Sequence, residues 1–92
     1  VELDAAVPED VGKRLELARS ARDASNIDEA LEYYESLVSS GERLDQVIED
    51  MQQTIKSYPS NPMLYQIMGD AMMKDGRLQS ALDVYRQALT KL

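Results

Sequence analysis

Apolar residues recur at helical spacing along nearly the whole chain, and nowhere do they alternate with polar ones as in a half-buried strand. Val11, Leu15, Ala18 and Ala21 form one stripe, and Ile27, Ala30, Leu31, Tyr34, Leu37 and Val38 form a second. Leu44, Val47, Ile48, Met51 and Ile55 make a third, Leu64, Met68, Ala71 and Met72 a fourth, and Leu78, Ala81, Leu82, Tyr85 and Leu89 a fifth. The breaks between stripes carry stop and start signals. Pro8-Glu9-Asp10 suits a first helical turn, where a missing N–H costs nothing and acids complement the helix dipole. Asn26 with Glu29 three residues on has the form of a capping box, and Ser39-Ser40-Gly41 ends the second stripe. Tyr58-Pro59-Ser60 closes the third, Asn61-Pro62 caps and opens the fourth, and Asp75-Gly76 turns the chain before the fifth. The pattern predicts helices over about 8–24, 27–39, 42–58, 62–75 and 77–91, after a frayed lead-in from Val1 to Val7. The expected class is all-α.

Within the last two predicted helices, Tyr65, Met68-Gly69 and Met72 are followed by Gly76, Ala81, Tyr85 and Ala88. This order of large, small and turn positions resembles a tetratricopeptide repeat. A shift of 34 residues carries Arg43-Leu44 onto Arg77-Leu78, Val47-Ile48 onto Ala81-Leu82, Met51 onto Tyr85 and Leu31 onto Tyr65, so 28–61 and 62–92 read as successive units. The upstream unit departs from the pattern, with Glu35 in the small slot, Glu42 for the turn glycine and Thr54 for the second small residue. Leu17-Ala18, Ala21, Ala30, Tyr34 and Leu37 also fit the pattern, and Ala30 lies 51 residues before Ala81. Helix two is therefore expected to be shared between the helix before it and the helix after it. The resemblance implies a five-helix right-handed superhelix, with a compact five-helix bundle as the alternative.

Composition narrows the chemistry. Ninety-two residues suit one small domain, able to bury a little over ~60% of the surface of the unfolded chain. The chain has no Cys, so disulfides and thiolate metal sites are excluded, and no His, which removes the commonest general base and zinc ligand. No loop has the alternating oxygen ligands and glycine of a calcium site, and no cofactor is expected. Neither a glycine-rich phosphate loop nor a catalytic cluster is present, so a non-catalytic protein is expected. Residues 1–57 hold 14 acids and 6 bases, whereas residues 58–92 hold 3 acids and 4 bases. An acidic field of that kind repels phosphate backbones, so nucleic acid is not an expected partner. No apolar run approaches the ~20 residues that span a bilayer, so membrane insertion is not expected either. A cytoplasmic setting is expected, and the start on Val1 suggests a fragment of a longer protein.

The family resemblance implies a binding or assembly scaffold whose concave face is lined by the first helix of each unit. If helices two and four take that role, the candidate contacts are Glu29, Glu32, Tyr33 and Ser36, with Met63, Gln66, Ile67, Asp70, Met73 and Lys74. Tyr33 is the first choice, since Tyr34 already fills the core slot and a ring beside it should face away. Acids at one end and apolar residues at the other suit a protein or peptide segment that mixes Lys or Arg with apolar anchors. Met68 and Met72 are expected in the core, and a soft-metal role for the methionines is not favoured. Helix five ends the chain with Val84, Leu89 and Leu92 uncovered, which suggests as an alternative function a structural segment that pairs through this helix, with further repeats of an array or with a copy of itself as a homodimer through Leu82, Leu89 and Leu92.

Overall fold

The computed structural model describes residues 9–92, so the lead-in from Val1 to Val7 and Pro8 lie outside the described residues. Five helices follow one another, α1 (Val11–Asp23), α2 (Ile27–Ser39), α3 (Leu44–Ser57), α4 (Pro62–Lys74) and α5 (Leu78–Thr90), with no strand among the described residues. The class is all-α, as the periodicity predicted. The first helix begins later than expected because Asp10 is not in its first turn. Its extended backbone makes it the N-cap, and its carboxylate accepts from Lys13 N at 2.9 Å. Asn61 caps α4 in the same way, accepting from Met63 N at 3.0 Å, with Pro62 in the first turn. The expected capping box at Asn26 does not form. Its ψ of 70° falls short of the extended region seen at Asp10 (118°) and Asn61 (107°), so its side chain makes no cap hydrogen bond.

Three helices end alike. The residues after the C-caps of α1, α2 and α4 (Ser25, Gly41 and Gly76) all have positive φ. In each case the next N–H reaches back to a carbonyl in the last turn: Asn26 to Ala21, Glu42 to Leu37 and Arg77 to Met72. The α1–α2 and α4–α5 connections then match closely. Ala24-Ser25-Asn26 and Asp75-Gly76-Arg77 have nearly the same cap dihedrals, and all four helices are 13 residues long. The two hairpins are thus the same structure repeated at an offset of 51 residues. The α2–α3 connection differs by one extra residue, Arg43, held at φ 55°.

Packing follows from the small residues. Ala18 and Ala30 are buried within the first hairpin and Gly69 and Ala81 within the second, which lets each pair of helices approach closely. A Cβ built on Gly69 would lie 2.6 Å from Tyr85 Cε1, so the ring already occupies that space. The two hairpins make the most extensive contacts in the molecule, and α4 also packs against α3 and α2. Among consecutive helices, α2 and α3 touch least. Their junction is polar. Asp50 of α3 is buried, accepts from Tyr34 Oη at 2.7 Å and pairs with Arg19 Nε of α1 at 2.8 Å. Val84, expected at an uncovered end, is instead buried against α4, because it sits a turn from Ala81 on the same face.

Candidate binding groove

Helices α2 and α4 lie side by side, and their C-terminal halves leave an open cleft of about 470 Å³. Its walls are Val38 and Ser39 from α2 and Asp70, Met73 and Lys74 from α4, with Tyr85 of α5 at the far side. A smaller hollow of about 160 Å³ continues along the same seam, where Glu35 joins Val38 and Ile67. Helical spacing explains this set. Glu35, Val38 and Ser39 fall on one side of α2, and Ile67, Asp70, Met73 and Lys74 fall on one side of α4.

Of the residues expected at a binding face, Asp70, Met73 and Lys74 are brought together here, and Ile67 lies beneath them at 1% exposure. Ile67 is therefore floor rather than contact surface. Tyr33 is corrected outright, since only 5% of it is exposed. The expectation assumed one covered side on α2. The helix is covered on two sides, by α1 on one and by α3 and α4 on the other, so both tyrosine rings have core to enter. Ser36 is drawn to the α1 side too, where its Oγ accepts from the buried Arg14 Nη1 at 2.9 Å. Glu29, Glu32, Met63 and Gln66 are exposed on α2 and α4 outside the cleft's own lining. Glu35, Val38, Ser39 and Tyr85 were not anticipated. The signal for Glu35 was present, as a carboxylate at a position where the register calls for a small residue.

The electrostatics of the cleft are unbalanced. Lys74 Nζ is turned to the Ser39 carbonyl, at 3.3 Å. Asp70 accepts from the Tyr85 hydroxyl. Among the described residues, neither Glu32, Glu35 nor Asp70 forms an ion pair with a lysine or arginine. Partial burial pushes the Glu35 carboxyl above its ordinary range, and the charges of Glu32 and Asp70 add to the effect. Burial also raises the Tyr85 hydroxyl to about 12, with its bond to Asp70 contributing. A cation placed between Glu35 and Asp70 would relieve this repulsion, and Val38, Ile67 and Met73 offer apolar surface beside it.

Two other clefts among the described residues balance their own charges. At the α2–α3 turn, Arg77 meets both Asp45 and Asp75 at 2.7 Å. Beside Tyr58, Arg22 lies 3.3 Å from Asp23. Among the described residues no acidic cluster has the geometry to hold a metal ion, and no helix is long and apolar enough to cross a membrane. Comparison of the chain with protein-family models, with curated proteins and with solved structures finds no match.

Proposed function

We propose that this protein is a non-catalytic interaction scaffold that binds a basic, apolar-anchored segment of a partner protein in the α2–α4 groove. One observation carries the reading: a groove with an apolar floor whose carboxylates, Glu35 and Asp70, lack cationic partners among the described residues. A lysine or arginine of the bound segment supplies the charge, and an apolar neighbour rests against Met73 and Val38. The duplicated hairpins support a repeat architecture, and we take the helices to form a short superhelix of tetratricopeptide type with the groove on its concave side. Such scaffolds present a preformed surface, so binding orders the partner more than the protein.

The test is equilibrium binding of short labelled peptides combining Lys or Arg with Leu, measured against the protein and its Glu35→Lys variant. Glu35 is exposed and makes no hydrogen bond among the described residues, so the variant should keep its fold. Binding should weaken about tenfold or more in the variant and should fall with added salt. Equal affinity for the two proteins would remove the basis for this function.

A further inference from the structure

The 51-residue offset pairs a stripe on α2 with a stripe on α5: Ile27, Leu31, Tyr34 and Val38 correspond to Leu78, Leu82, Tyr85 and Leu89. The fold treats them differently. Leu31, Tyr34 and Val38 are buried, Tyr34 beneath its bond to Asp50 of α3 and Val38 on the seam with α4. Leu78, Leu82 and Leu89 stand 57%, 44% and 67% exposed. The hairpins themselves match in helix length and in cap dihedrals, so the difference lies in the covering helix and not in the backbone. The first hairpin therefore shows how a helix docks on the second.

Polar contacts specify the chemistry of that helix. On the first hairpin, α3 presents Asp50 to Arg19 at 2.8 Å, to Tyr34 at 2.7 Å and towards Arg22 at 3.6 Å. On the second, the position of Arg19 is held by Asp70 and that of Arg22 by Met73, while the tyrosine is kept as Tyr85. A helix lying there in the manner of α3 meets a carboxylate where α3 meets a guanidinium. An acid at the Asp50 position would be repelled, and a lysine or arginine would be attracted. A second copy of this chain is a poorer fit. The whole carries a net charge of −7, and on α5 the one arginine, Arg86, is already paired with Asp83 at 3.1 Å.

We infer that the leucine face of α5 docks an amphipathic helix of a partner protein, running opposite to α5 with its apolar stripe on Leu78, Leu82 and Leu89 and a lysine or arginine on Asp70. This rests on the groove reading, since Asp70 belongs to both, and it adds the helical form of the partner and the leucine face. The side chains of α3 supply the probe.

A fluorescent peptide of residues 42–60 is made with Asp50→Lys and, in parallel, with Asp50 retained. A side-chain staple on the solvent face removes the cost of ordering a short isolated helix. In anisotropy titrations with the whole protein, the lysine peptide should bind about tenfold more tightly than the aspartate peptide. The double variant Leu82→Glu, Leu89→Glu should abolish that binding while circular dichroism and melting stay unchanged, since both leucines are substantially exposed. Equal affinities for the two peptides, binding of neither, or sedimentation showing a dimer dispersed by the double variant would each overturn the inference. Lysine-peptide binding that survives the leucine double variant but is weakened by Glu35→Lys would overturn the leucine face and leave the groove standing. Insensitivity of the simple basic peptides to Glu35→Lys would instead remove the groove reading itself.

Discussion

Gly69→Ala puts the close approach of α4 and α5 to a quantitative test. The added methyl would sit 2.6 Å from Tyr85 Cε1, 2.8 Å from Cδ1 and 3.1 Å from Cζ. Carbon atoms rest at roughly 3.5–4.0 Å, so the ring must retreat by about 1 Å. It is not free to do so, because its hydroxyl is bound to Asp70 and its helix is held by Ala81 and Val84. Overpacking of this kind costs about 1–3 kcal/mol. Against it stands the better helix propensity of alanine, about 0.8–1.0 kcal/mol in a helix interior. The balance is a net loss of up to about 2 kcal/mol, and each kcal/mol lowers Tm by roughly 4–8 °C in a domain of this size. The diagnostic is a change of sign. In a Tyr85→Ala background the obstruction is gone, and Gly69→Ala should stabilise by about 0.8–1.0 kcal/mol. Urea unfolding of the four proteins gives the cycle. If Gly69→Ala stabilises the protein equally with and without the Tyr85 ring, the hairpin is not packed through this contact.

Other expectations follow from the same geometry. Tyr33→Ala and Tyr34→Ala should each cost about 3–5 kcal/mol in chemical denaturation, since both rings are buried, and a neutral Tyr33→Ala would mean α1 does not cover α2. Burial, then the Asp50 bond, raises the Tyr34 hydroxyl, and Tyr85 is raised to about 12 by burial and Asp70. A free tyrosine ionises at about 10. Stability should hold below that pH and be lost as pH climbs through the raised folded values, so the unfolding midpoint should drop in alkali, less so in Tyr34→Phe. Glu35→Gln should stabilise the protein slightly at neutral pH, by about 0.5 kcal/mol or less given its exposure, because the charged form is disfavoured beside Glu32 and Asp70. That gain should vanish as acid protonates the wild-type carboxyl, which thermal melts across pH would show.

Much of this fold was legible in the sequence, because the stripes were regular and the glycines and prolines fell between them. The five helices lie within a few residues of their expected bounds. Less legible was which helices pair. The 34-residue shift joined α2 to α3, while the 51-residue offset joins α1 to α2 and α4 to α5, and only the latter repeats the connecting backbone. Period alone weighs both alignments equally; the extra Arg43 at positive φ separates them. Asp50 was hidden for a related reason. It sits in a run of acids that reads as a solvated face, and Arg19 and Tyr34 arriving from other helices make its burial tolerable. Tyr33 was misplaced because one sequence stripe cannot report a helix covered on two sides. At the groove, Asp70, Met73 and Lys74 were expected from the resemblance to a repeat whose first helices line a concave face, whereas Glu35 and Tyr85 needed the neighbouring helices in place.

The proposed binding site is the seam between α2 and α4. The most direct test is amide chemical-shift mapping of the isotope-labelled protein as a Lys- and Leu-containing peptide is added. Progressive shifts should centre on Glu35, Val38, Ser39, Asp70, Met73 and Lys74, with the α1–α3 junction around Asp50 unmoved. Saturable shifts centred elsewhere, or none with any basic–apolar peptide, would contradict it.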